Sequence, residues 1–308
     1  MSDYKWSKPP LLGQDNNSLV MLLALNGIVF IIITFIRLVY TLGYDSNIIA
    51  EGFFQNQILN WFQLPATFEK LITRPWTLVI YMFTHYKVWH LVGNMLWLFG
   101  FGFILQDLAG NNKLIPVYLY GGFLGGIVFL LSINFLPFLY TQLPNIPPFI
   151  GAGAALMAVA VATTALAPDY RIFPMLNGGI PLWILTVLFV AFDFASVASQ
   201  NGGVALAHIT GGLAGFIYIK QLQRGRDGGQ WMYQFVDWLN NLFNPEKKGG
   251  KNAIRNKQFY EKGKQPFKKI PNVTQRQVDE LLDKINQQGY HMLTDEEKAF
   301  LRRVKDEL

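Results

Sequence analysis

What most limits this chain is a set of long apolar runs. A helix needs about 20 mainly apolar residues to cross a bilayer, and residues 19–40 (LVMLLALNGIVFIIITFIRLVY) supply them with one late charge, Arg37. Further runs lie at about 76–105, 114–136, 149–167, 180–197 and 204–219. Two of them are rich enough in Gly and Ala that hydropathy alone leaves them open, so four to seven spans are admissible and six is the best count. The fold class expected is all-α: a polytopic membrane protein built as a six-helix bundle.

Charge is sparse and unevenly placed. Charged residues make up 15% of the chain, against about 25% in an average soluble domain. Residues 1–219 hold eight basic and eight acidic groups, while residues 220–308 hold eighteen and twelve, so the tail carries the whole net charge of +6. A basic surplus beside apolar helices fits anionic lipid headgroups more simply than nucleic acid, and no nucleic-acid partner is expected. The absence of cysteine excludes disulfides and thiolate metal sites; no metal and no cofactor is expected. The polar start, residues 1–18, lacks the apolar core and small-residue cleavage site of a signal peptide, so insertion falls to the first span.

Orientation follows from Lys and Arg in short connections. With six spans, Lys5, Lys8, Lys113, Arg171, Lys220, Arg224 and Arg226 fall on one side, and the connections at 137–148 and 198–203 hold none. Both termini are then cytoplasmic. The connection at 41–74 is the exception, because it carries Lys70 and Arg74 on the other side. It also sets Phe53, Phe54, Ile58, Leu59, Trp61, Phe62 and Leu64 among polar residues, which predicts a structured element lying in the interface.

Beyond the last span, Trp231, Met232, Phe235, Val236, Trp238, Leu239, Leu242 and Phe243 recur at helical spacing up to Pro245. This predicts an amphipathic helix over 228–244 on the cytoplasmic leaflet. Residues 246–272, rich in Lys, Gly, Asn and Pro, read as a flexible basic linker. Residues 273–308 read as a helical hairpin with capping boxes at Thr274/Gln277 and Thr294/Glu297, a Gly289 cap, and apolar faces of Val278, Leu281, Leu282 and Ile285, then Phe300, Leu301 and Val304. So small a hairpin has little core, and docking on something else is expected.

Ionisable groups at membrane depth cost about 2.5–3.5 kcal/mol on insertion scales, so each is a functional candidate. Three of the four histidines are so placed: His85 and His90 in FTHYKVWHLVGNMLWLFGFG and His208 in VALAHITGGLAGFIY. Asn94 follows His90 by four residues, which puts both side chains on one helix face. That face either offers two hydrogen-bond donors to one oxygen or joins neighbouring helices. Gly211, Gly212 and Gly215 after His208 form a small-residue stripe that admits a close helix, and Gly151, Ala152, Gly153, Ala154 and Ala155 are an equally thin candidate partner.

At these residues the sequence resembles the rhomboid family of intramembrane serine proteases. The likeness covers about residues 75–220: His85, His90-x-x-x-Asn94, the Gly-rich start of the fourth span, and His208-x-x-Gly211-x-x-x-Gly215. The 273–308 hairpin looks like a C-terminal extension found on some bacterial rhomboids, which implies a bacterial-type plasma membrane. The resemblance implies a Ser–His dyad, with the serine in G-x-S-G at the start of the fourth span. Here that stretch is Gly151-Ala152-Gly153-Ala154, so glycine holds the nucleophile position. His208 matches the general base, and His90 and Asn94 match the oxyanion-stabilising side chains. Met157 stands where active members often carry an aromatic residue against the base. The family's Glu-x-x-x-Gly-x-x-basic pattern appears as Gln106-x-x-x-Gly110-x-x-Lys113.

Attack on a peptide carbonyl needs an oxygen or sulfur nucleophile, and glycine has neither. Thr163 and Thr164 lie ten or more residues on, about 15 Å along the axis; Ser132, Ser196 and Ser199 lie in no matching context. Two readings follow. In one, the chain is a pseudoprotease that binds transmembrane helices of membrane clients without cutting them, with Gly153 packing toward Gly211 and Gly215. In the other, it is an active serine endopeptidase. A transporter is disfavoured, because repeated halves with broken helices are not evident.

Overall fold

A computed structural model describes residues 17–141, 146–172, 175, 178–197, 202–235 and 275–307. The chain divides into two compact units, 1–238 and 239–308. In the first unit the helices are α1 (Ser18–Gly43), α2 (Asn47–Gln57), α3 (Phe68–Thr73), α4 (Thr77–Ile80), α5 (Val88–Ala109), α6 (Leu114–Phe135), α7 (Pro137–Tyr140), α8 (Gly153–Leu166), α9 (Leu182–Val197) and α10 (Gly202–Gln223). A two-residue antiparallel pair, Arg171–Ile172 with Ile180–Pro181, joins α8 to α9. Among the described residues the protein is all-α apart from this pair. Among the described residues, four helices are long and apolar enough to cross a membrane: α1, α5, α6 with the turn before it, and α10. The shorter apolar helices α8 and α9 complete the six.

The length of α8 has a physical reason. Fourteen residues rise about 21 Å, short of a hydrocarbon core of about 30 Å. Ten of its fourteen residues are buried and none is exposed, so it meets mainly protein rather than lipid and need not match the bilayer. Gly211 and Gly215 of α10 press on the carbonyls of Ala154 and Ala158, where a Cβ would overlap the oxygen. From the other side, a Cβ at Gly125 of α6 would lie 2.6 Å from Cβ of Ala154, and one at Gly121 would overlap Ala158. The stripe expected on the sixth span thus meets the fourth, and α6 adds a second stripe. Close backbone approach of this kind is how apolar helices gain packing inside a membrane.

The run expected at 76–105 is not one helix. Residues 77–83 are two short turns, Thr84 is extended, and α5 begins at Val88. The Tyr81 hydroxyl donates to the Gly122 carbonyl (2.6 Å) and the Tyr118 hydroxyl to that of Met82 (2.8 Å). These bonds hold the apolar segment across α6, in place of a continuous span.

The connection after α1 is structured, as expected, and is helical in α2 and α3. At the other end of the bundle, the Ser18 amide donates to Asn111 Oδ1 (2.8 Å), and Gln106 donates to the same oxygen (2.6 Å). Lys113 pairs with Asp227 (2.5 Å). The beginning of α1 and the segment after α10 therefore lie at one end.

Of the helix expected at 228–244, residues 230–235 are helical and the rest lies outside the described residues, as does the 246–272 linker. The described part docks on the bundle. Trp231 donates to the Tyr120 hydroxyl (2.9 Å), and Tyr120 to the Gly228 carbonyl (2.8 Å). Asp227 is the hub of this clamp. Burial pushes its carboxyl up, but hydrogen bonds from Lys113, the Gly229 amide and the Tyr218 hydroxyl outweigh it and hold the carboxyl below its ordinary range. A depressed carboxylate stabilises above its unfolded pKa, and that contribution is lost as pH falls through the lower folded value. Docking of 226–235 is therefore expected to loosen below about pH 4. Asp227→Asn should weaken it by about 2 kcal/mol at neutral pH, read as faster amide exchange in that segment.

In the second unit, α11 (Gln275–Gln288) and α12 (Asp295–Glu307) form the expected hairpin. Gly289 takes φ 87°, which suits glycine. The capping box at Thr294 is reciprocal: the Thr294 amide donates to Glu297 Oε2 (2.8 Å), and the Glu297 amide to Thr294 Oγ1 (3.3 Å). The box expected at Thr274/Gln277 lies outside the described residues.

Candidate active site

The candidate site is assembled where α8 begins. Leu64 and Phe149 exchange backbone hydrogen bonds (2.9 and 2.8 Å), the Gly151 amide donates to the Tyr81 carbonyl (3.0 Å), and Gly151 turns the chain with φ 107°. These contacts deliver Gly153 as the first residue of α8, directly facing His208 of α10. A Cβ built on Gly153 would stand 2.5 Å from His208 Nε2. The ring thus occupies space that any side chain at 153 would need. Gly153 does not extend the stripe toward Gly211 and Gly215, as packing alone would have it; Ala154 and Ala158 do that.

His208 is buried and its Nδ1 lies 2.7 Å from Asp193 Oδ2 on α9. With a carboxylate accepting at Nδ1, the proton is assigned there, and Nε2 keeps its lone pair toward Gly153. This is the tautomer a general base requires. Reading the motifs alone passes over Asp193. The signal is present in the sequence, since an acid within the apolar run LFVAFDFASV is as conspicuous as the histidines. Phe149 also lies against His208, with ring centroids 5.9 Å apart. Met157 is buried and instead faces α10 at Gly212, where a Cβ would meet its Cγ at 3.2 Å.

On α5, His90 sits over Gly151, where a Cβ would lie 2.7 Å from its ring. His90 is exposed, whereas His85 is fully buried. Asn94 Nδ2 lies 2.9 Å from His85 Nε2, so one of its two N–H bonds is directed at His85. The His85 and His90 rings meet edge to face at 5.3 Å. The structure therefore gathers His85, His90, Asn94, Gly151, Gly153 and His208 at one locus, with Asp193 added. It does not bring the weighed hydroxyls there. Thr163 donates to the Val159 carbonyl and Thr164 to that of Ala160, Thr164 also meets Thr186, and Ser132 donates to Phe129; the Ser196 and Ser199 side chains lie outside the described residues. Among the described residues, no three histidine or acidic side chains converge as metal ligands would.

A bundle of apolar helices with an imidazole–carboxylate pair enclosed at the broken start of its central helix defines an integral membrane protein with a polar interior site. The comparisons specify which kind. Residues 73–224 match the Rhomboid domain, and the chain belongs to the rhomboid family. Residues 270–304 match a family of unknown function, DUF6576. The chain is 23% identical over 158 residues to RHOMBOID-like protein 12, mitochondrial, of Arabidopsis thaliana, covering 49% of this chain and 47% of that protein. It is 30% identical over 141 residues to Rhomboid protein 1, mitochondrial, of Saccharomyces cerevisiae, covering 44% of this chain and 38% of that one. The chain thus matches less than half the length of these relatives.

Proposed function

We propose that this protein is a rhomboid pseudoprotease, which holds transmembrane helices of client proteins in the bilayer without cleaving them. The observation that carries the reading is the close approach of His208 to the bare backbone of Gly153. The base faces a residue with no oxygen or sulfur to activate, and its ring fills the volume a nucleophile would occupy. The small-residue packing of α8, the Asp193–His208 pair and the polar groups of α5 keep the scaffold of a hydrolase while the reacting atom is missing. The basic tail adds attraction to anionic headgroups, with both ends of the membrane unit on the cytoplasmic side.

Purified protein in detergent should neither label with a fluorophosphonate probe nor cut a transmembrane substrate carrying a helix-breaking segment. Cleavage that vanishes in a His208→Ala variant would overturn the proposal. Clients are to be sought by crosslinking in membranes from a photoreactive residue placed near Gly153, with capture that depends on the client's transmembrane helix as the supporting result.

A further inference from the structure

Lys70 and Arg74 stand apart from the charge pattern of the chain, as cations in a connection on the side where the other short connections have none. The structure brings both to one cavity of about 290 Å³, whose wall also includes Asn60, Gln63, Thr67 and Ile146 and, among the described residues, holds no carboxylate. Lys70 lies on α3 and Arg74 is the non-helical residue that ends it, and both line this cavity. The cavity is preformed by bonds that do not involve a ligand. Leu64 bridges to Phe149, and Asn134 of α6 donates to the Ala66 carbonyl (2.8 Å). Arg74 is held by its Nη1 on the Asn60 carbonyl (2.8 Å) and by its guanidinium over the Trp61 ring (4.5 Å). The rest of its planar fork is left to recognise an anion. Neither Lys70 nor Arg74 has an acidic partner among the described residues.

The neighbourhood decides which anion. Trp61 stacks on Trp76 at 5.9 Å and 7°, both are about two-fifths exposed, and the Trp76 ring nitrogen donates to the Trp61 carbonyl (3.1 Å). Exposed tryptophans at the ends of apolar helices mark headgroup depth. A guanidinium fork, an ammonium and neutral donors, with no acid to repel it, suit a phosphate oxygen set.

We propose that this cavity binds a phosphate group, presented by the headgroup of an anionic phospholipid in the leaflet on that side, and so fastens α3 and the preceding turn to the membrane surface. The inference rests on the membrane fold and not on the pseudoprotease reading.

The test uses the full chain in detergent depleted of lipid, following deuterium exchange of amides 60–74 on addition of dioctanoyl phosphatidylglycerol, dioctanoylglycerol or inorganic phosphate. Phosphatidylglycerol should protect the segment and dioctanoylglycerol should not. Lys70→Gln should weaken the apparent affinity about fivefold, because each interfacial cation contributes about that factor. The Lys70 side chain is exposed, so exchange at the Leu64 amide without lipid should match the parent and show that the cavity wall is intact. No protection by phosphatidylglycerol, or equal protection in parent and Lys70→Gln, overturns the proposal. Equal protection by inorganic phosphate at the same concentration overturns the lipid source.

Discussion

Gly153→Ser is expected to create fluorophosphonate labelling at the introduced hydroxyl, abolished by His208→Ala. The geometry argues both for the gain and for its limit. Asp193 fixes Nδ1 of His208, so Nε2 already faces position 153 as an acceptor. A hydroxyl placed there gains a base within reach. Yet the new Cβ would fall 2.5 Å from Nε2, closer than a Cβ carrying a hydrogen-bonded hydroxyl can sit, and the ring must withdraw. The ring is a side chain and can move, but its hold on Asp193 opposes the movement. Overpacking of this kind costs about 1–3 kcal/mol, so the serine variant should melt below the parent. In that background, His208→Ala should reduce labelling by on the order of 10³ or more. Labelling that persists without His208 would mean that the probe reacts elsewhere, and the base assignment would fall. Complete silence in a folded Gly153→Ser protein would mean that the ring does not withdraw, and Asp193→Asn, which loosens its anchor, is then the second variant to examine.

Some of this architecture is written in local sequence and some only in contacts between distant segments. The span at 19–40 is legible because lipid imposes a length and a composition, and α1 extends it by only a few residues at either end. Gly211 and Gly215 are legible as a contact face because their spacing is one helical turn, and Ala154 and Ala158 answer them at the same spacing. The break between residues 83 and 88 falls on the polar stretch Thr84-His85-Tyr86-Lys87, but a short polar stretch within a long apolar run does not by itself end a helix. What stops the helix is tertiary: the Tyr81 and Tyr118 hydroxyls bond to backbone carbonyls across α6 and the 81–83 turn. Spacing places Asn94 and His90 on one face but cannot say that Asn94 turns to His85. Gly153 is identified from its motif alone, and its contact with His208 needs two helices to meet. Asp193 can be found by treating acids in apolar runs as the histidines are treated.

The Asp193–His208 pair predicts an asymmetry that separates its two halves. Its side chains are 11% and 6% exposed, so water replaces a lost bond between them only in part. Asp193→Asn keeps the shape and removes the charge, and an amide oxygen can still accept from Nδ1. The loss is that of a charge-assisted bond, about 1–2 kcal/mol. His208→Ala has a different effect. It leaves the Asp193 carboxylate deprived of its imidazole at low exposure and opens a void beside Gly153, and breaking a buried pair from one side costs about 3–5 kcal/mol. Thermal unfolding in one detergent should therefore rank parent, then Asp193→Asn, then His208→Ala, with the last gap the larger. The double variant Asp193→Asn/His208→Ala should recover part of that loss, because the low-exposure carboxylate that lost its imidazole is gone. Equal destabilisation by the two single variants, or a double variant less stable than His208→Ala by the full cost of Asp193→Asn, would show that the two side chains are not energetically coupled. The bond drawn between α9 and α10 would then be a contact of geometry only.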